Sequence, residues 1–269
     1  MSLLSPEERA FAAAVARAAY CNPFAPDRIA AERQALGGEF VADGASWNVD
    51  VHSFGHHANI TRLTERTGAL ATACRERLEV RATAPSDADL RAYEDVALFF
   101  LYHRHYPALT ELLNDRLAQP AAPARPARVA CYADFARDVS RFFDVPGLTL
   151  PAAGAAPHLF ACFFQLRRAF HYTFTHIVGS SDAAWRLRAA VWESIFTHDL
   201  RRYRTAVYPL MGDITTLVTG PSGTGKELVA RAIGLARYVP FDPKSAAFAE
   251  DFLGSFHALS LSALSPTLI

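Results

Sequence analysis

Cysteine is scarce. The 269-residue chain has four, Cys21, Cys74, Cys131 and Cys162, and none forms a C-x-x-C pair. They read as reduced thiols of a cytoplasmic protein rather than as a disulfide framework. Charge of one sign is also lacking. Lys+Arg and Asp+Glu both number 27, so the whole-chain charge offers no argument for nucleic-acid binding, although a local basic patch stays open. No long apolar run exists. Stretches such as VALFFLY (Val96 to Tyr102) are far too short to span a bilayer. The N-terminus, MSLLSPEERAF, lacks the basic-then-apolar order of a signal peptide. G-x-S-x-G and H-E-x-x-H are both missing, which leaves a hydrolase or metalloprotease reading without support. No repeat recurs at a fixed period. What is present is apolar material: 51% hydrophobic against 20% charged residues, enough for a packed core.

Most of the chain reads as helix. Ser5 can cap, Pro6 suits the first helical position and Glu8 can complete a capping box, with Phe11, Ala14, Val15, Ala18 and Ala19 following at helical spacing. A second helix is expected from Pro26 to Leu36, stopped by Gly37-Gly38. EFVADGASWNVDVHSFG reads as a loop or short β-excursion, and helical patterns return from about Asn59 to Val80 and after Ser86. AQPAAPARPARVA (Ala118 to Ala130) reads as an exposed linker. CYADFARDVSRFF is a short amphipathic helix, and HLFACFFQLRRAFHYTFTHIV is a strongly apolar helix expected at the centre of the first domain.

The character changes near Ile177. A turn, VGSS, leads into a helix with Trp185, Ala189, Trp192 and Phe196 three to four apart. MGDITTLVTG reads as a turn into a buried strand, Ile214 to Thr219. KELVARAIGLARYV is a helix with Leu228, Val229, Ala232, Ile233 and Ala236 on one face, and Phe256 to Leu261 is a second strand. In SPTLI, Ser265 and Pro266 announce a further helix.

Between the first strand and its helix lies G-x-x-x-x-G-K, from Gly220 to Lys226. Gly220, Gly223 and Gly225 allow backbone conformations and close approaches that a side chain would obstruct. Neighbouring N–H groups can point at phosphate oxygens, the helix start offers its positive end, and Lys226 adds a point charge toward the β- and γ-phosphates. The usual next residue is Ser or Thr, whose hydroxyl holds Mg²⁺. Here it is Glu227.

That departure is informative. TGPSGTGKELVARAI closely resembles the nucleotide loop of the AAA+ domain in bacterial sigma-54-dependent transcriptional activators (enhancer-binding proteins), a family that typically has GESGTGKE. IVGSSDAAWRLRAAV resembles the family's domain opening, FHALSLSAL its strand F-V-x-V-N-C-A-A-L, and SPTLI the segment before its E-S-E-L-F-G. The resemblance covers about the last third, Ile177 to Ile269. Pro221 replaces the usual glutamate, and Ser260 and Leu261 replace Asn-Cys. The stretch THDLRRYRTAVYPLM lengthens the approach to the loop and reads first as a solvated helical insertion.

The expected fold class is therefore α + α/β. A mostly α-helical regulatory or sensor-like domain, 1–172, precedes the start of a P-loop AAA+ domain, 177–269, which stops before the acidic Walker B strand, the sensors and the arginine fingers. By the resemblance, Gly220, Pro221, Ser222, Gly223, Thr224, Gly225, Lys226 and Glu227 contact ATP. Mg²⁺ and hydrolysis belong to a longer parent protein, and no catalytic residue or protein metal ligand is assigned in this chain. The implied partners are sigma-54 RNA polymerase, further copies of a complete AAA+ domain, and DNA through a region beyond Ile269, with no membrane. The alternatives are a helical sensor or interaction protein with a vestigial phosphate loop, and an unrelated P-loop NTPase. His56-His57 and the pair His103 and His105 are weak metal candidates, because residues two apart on a helix face different sides. Asp199 and His198 near Arg201, Arg202 and Arg204 could bind anions, with a solvated charged helix the plainer reading. The aromatic stretches ALFFLYHRHY and FACFFQLRRAFHYTF could line a small-molecule pocket, with core packing the plainer reading.

Overall fold

In the computed structural model, residues 2–42, 57–80, 84–119, 126–254 and 256–259 are described. Most of them are helical. Helix α1, Pro6–Tyr20, opens with the expected capping box: the Glu8 amide donates to Ser5 Oγ at 3.2 Å, and the Ser5 amide donates to Glu8 Oε2 at 2.8 Å. Helix α2, Pro26–Leu36, ends where Gly37 takes φ 55°, a left-handed value that favours glycine. Helix α3, Ala58–Glu79, and the long α4, Asp87–Leu117, form the next pair, with Ser86 capping α4. Helix α5, Tyr132–Phe143, buries Phe135, Val139, Phe142 and Phe143 along one stripe.

Helix α6, Ala156–His176, is central, as its composition predicts. It packs against α4, α5 and three later elements: α7 (Asp182–Phe196), α9 (Lys226–Leu235) and strand β1 (Phe241–Asp242). Strand β1 pairs antiparallel with β2, Ala247–Phe248, which is the one sheet among the described residues. The Asp242 carboxylate shapes its turn by accepting from the Lys244 amide at 3.0 Å and the Ser245 hydroxyl at 2.7 Å. Phe248 from this hairpin lies against Phe164 with ring centroids 4.8 Å apart.

The two strands expected at Ile214–Thr219 and Phe256–Leu261 are corrected. The backbone from Ile214 to Thr219 joins no ladder, and Leu217 is 84% exposed. Phe256 to Leu259 is likewise irregular, while Ser260 and Leu261 lie outside the described residues. A β-branched run becomes a strand only when another strand accepts its hydrogen bonds, and none does so among the described residues. The SPTLI helix start, most of the EFVADGASWNVDVHSFG segment, His56 and the centre of the proline-rich linker also lie outside them.

The core does not divide at residue 172. One apolar cluster joins Leu70, Val96, Phe135 and Phe160 to Val239, Phe241, Phe248 and Phe252. A second joins Phe24 and Phe170 to Trp192, Phe196, Tyr203, Ala232 and Ala236. The later residues therefore bury their apolar side chains on α6 and its neighbours rather than around a separate sheet.

Candidate phosphate-binding loop

The chain enters the loop through a segment that sequence reading places in solvent. Asp199 caps a single helical turn, Leu200–Arg202 (α8), which widens at Tyr203–Val207 into a π-type turn. This strap is anchored to the helical body. Arg201 pairs with Asp95, and Arg204 with Glu94 at 3.1 Å. The buried Tyr203 hydroxyl donates to Gln165 Oε1 at 2.8 Å. His158 Nε2 lies 2.8 Å from the Arg204 carbonyl oxygen, with Tyr208 against the ring at 4.2 Å. The solvated-insertion reading is thus corrected: a segment rich in arginine docks because acidic and aromatic partners on α4 and α6 meet it. Burial pushes the Glu94 and Asp95 carboxyls up, while Arg204 and Arg201 pull them down.

Beyond the strap the loop turns on its glycines. Gly220, Gly223 and Gly225 have φ of 154°, 79° and 78°, conformations that side-chain-bearing residues rarely adopt. Gly225 stands at the N-cap of α9. Among the described residues, the N–H groups from Ser222 to Glu227 find no protein acceptor. Six consecutive open donors at the positive end of a helix form an anion-receptive concavity. Thr224 Oγ1 donates to the Pro221 carbonyl at 2.9 Å, which tightens the turn. Lys226 Nζ bends back over the same loop and donates to the carbonyls of Gly220 at 3.0 Å and Pro221 at 2.6 Å. The ammonium thus sits over the loop: of the eight sequence-predicted residues, Gly220 to Gly225 form the turn and Lys226 and Glu227 open α9. Glu227 is exposed in the first turn of α9 and offers no hydroxyl for Mg²⁺.

The far end of α9 is fixed from within the core, a feature the sequence reading missed. Arg168 on α6 is fully buried and donates to the carbonyls of Leu235 at 2.8 Å and Arg237 at 2.7 Å. These are carbonyls that a helix C-terminus leaves without intrahelical partners. Its guanidinium lies 5.3 Å from the ring centroids of both Phe164 and Phe252. Burial pulls Arg168 down to about 10, still charged at neutral pH. Gln165 adds a bond to the Ala236 carbonyl at 3.0 Å. The signal was available in QLRR: two arginines inside an apolar helix need buried acceptors. Of the expected apolar face of α9, Ala232 and Ala236 are buried, Val229 and Ile233 partly so, and Leu228 is 41% exposed.

The other candidates separate. His105 Nε2 stands 3.0 Å from Asp138 in an ion-pair geometry, while His103 lies among rings. No group of three or more His, Cys, Asp or Glu side chains among the described residues is arranged to hold a metal ion. Among them, too, no helix is long and apolar enough to cross a membrane. No family model matches the chain, and neither a curated protein nor a solved structure matches it.

Proposed function

We propose that the loop Gly220–Lys226 binds the β- and γ-phosphates of ATP, and that the chain belongs to an ATP-dependent regulator acting on sigma-54 RNA polymerase. The observation that supports nucleotide binding is the run of N–H groups from Ser222 to Glu227 that find no acceptor among the described residues, at the start of the ten-residue α9. Phosphate oxygens would take those donors, and Lys226 would exchange two backbone carbonyls for a phosphate oxygen. The transcriptional part of the reading rests on the resemblance of TGPSGTGKELVARAI and its flanking segments to the AAA+ domain of sigma-54-dependent activators. Under it, hydrolysis of Mg²⁺-ATP supplies the work of remodelling the polymerase, and assembly of several copies and DNA contact follow from the family. Glu227 carries the same sign as the phosphates and offers no hydroxyl to a Mg²⁺ ion beside them.

One observation favours the rival reading of a vestigial loop. The segment before the loop, Ile214 to Thr219, is mostly exposed, and among the described residues no strand pairs with it to hold the cradle on that side. Equilibrium binding of a fluorescent ATP analogue separates the two. Saturable binding that competes with ATP and is lost in Lys226→Ala supports the proposal. Binding unchanged in Lys226→Ala, or none at all in the wild-type chain, supports the vestigial loop.

A further inference from the structure

A cavity of about 120 Å³ lies between α1, α3, α4, α6, α7 and the strap. It is independent of the phosphate loop. Ala19, Leu63, Leu98, Phe163, Leu166 and Trp192 give it a mainly apolar wall. Beside the paired charges at its margin, Tyr102 and His103 on α4 bring polar groups to the wall. The Tyr102 hydroxyl is buried and has no hydrogen-bond partner among the described residues. The His103 imidazole touches the rings of Phe99 and Tyr102, at centroid distances of 4.5 and 5.1 Å, and hydrogen-bonds to none of the described residues.

A well-packed interior leaves few voids larger than a water molecule, and a buried hydroxyl without a partner is destabilising. Water is a poor answer to both. An ordered buried water needs about two to four polar partners, and most of the wall here is hydrocarbon. The charged side chains at the cavity margin are paired, although Arg28 Nε, Glu32 Oε2 and Arg204 Nε make no further hydrogen bond among the described residues. Arg28 pairs with Glu32 at 2.8 Å, Tyr20 donates to Asp95 at 2.8 Å, and Arg204 meets Glu94 at 3.1 Å. A charged guest would lose its hydration and find no free counter-charge. An apolar guest with one hydrogen-bonding oxygen would cover the wall and accept from Tyr102. Neutral His103 offers it a second bond, as donor or acceptor by tautomer.

We infer that this cavity is a binding site for a small, uncharged, mostly hydrocarbon molecule bearing a single hydroxyl or carbonyl, held by Tyr102 and His103. The volume suits a six-membered ring with one short substituent, similar to the benzene-accepting cavity of about 150 Å³ known for an engineered core.

Calorimetric titration of the full chain with cyclohexanol, cyclohexane and cyclohexanecarboxylate tests it. Cyclohexanol should bind saturably at one site with Kd on the order of 0.1–1 mM, and the carboxylate at least about tenfold more weakly. Tyr102→Phe should weaken cyclohexanol about fivefold and leave cyclohexane unchanged. Ala19→Leu should fill the space and abolish both, with helical circular dichroism retained. Absence of saturable cyclohexanol binding to the wild-type chain would overturn the inference. So would equal loss of cyclohexanol and cyclohexane in Tyr102→Phe, or unchanged binding in a folded Ala19→Leu protein. If Ala19→Leu does not fold, the Tyr102→Phe comparison decides alone.

Discussion

Acid should destabilise this protein through His103, and the size of the effect can be worked out. The ring is half-buried, lines the cavity and touches the rings of Phe99 and Tyr102, and burial pushes its pKa down to about 3. In the unfolded chain it titrates near about 6.5. The folded state therefore disfavours the proton. Its neutral ring contributes fully above the unfolded value, and that contribution is lost as pH falls from about 6.5 toward 3. Between about pH 7 and pH 5 the expected loss is about 2 kcal/mol, a large share of a typical domain's stability. Glu32 and Asp95 line the same cavity, and burial pushes both upward, so they change with pH in the opposite sense. His105 and His158 are pushed down by burial and add a smaller slope of the same sign as His103. The difference between wild type and His103→Phe isolates the one ring. Urea unfolding of both proteins across this pH range is the assay. The wild type should lose about 2 kcal/mol more than the variant on going from about pH 7 to pH 5. Parallel stability curves would refute the claim that His103 is held neutral by its surroundings.

Three further outcomes are expected. Arg168→Ala orphans the carbonyls of Leu235 and Arg237 and opens a gap beside Phe164 and Phe252. It should cost roughly 3 kcal/mol and speed amide exchange in α9 more than in α1. Gly223→Ala places a side chain at φ 79°, so it should cost about 1–2 kcal/mol of loop strain and weaken ATP-analogue binding several-fold. Binding as tight as wild type would show that this loop conformation is not the one that takes phosphate. Ser5→Ala removes one arm of the capping box, and a fall of about 1 kcal/mol in chemical denaturation is expected, with the nucleotide site untouched.

Local signals fixed much of the helical architecture. Ser5-Pro6 and Glu8, Pro26 with Gly37, and Ser86 mark helix ends through bonds that reach only a few residues, so the sequence shows them directly. The amphipathic spacing of α5 and the apolar length of α6 work in the same way. The glycine-lysine loop was also legible, because positive φ is a local demand that glycine meets. What failed was long-range. Ile214 to Thr219 has the composition of a strand, but a strand exists by pairing, and its hydrogen bonds must come from chain elsewhere. The small hairpin Phe241–Phe248 was missed for the converse reason: its two-residue strands are held by packing of Phe241 and Phe248 on α6 more than by any sequence period. The strap reads as polar until Asp95, Glu94 and Gln165, about forty to a hundred residues away, supply its partners. Arg168 is a surface residue type by composition, and only the arrival of the C-terminus of α9 over it turns a buried charge into a cap. A chain can state its own periodicity and turns. Which acceptor a buried donor meets, and which pair of helices leaves Tyr102 facing a void, is decided by where distant segments come to rest.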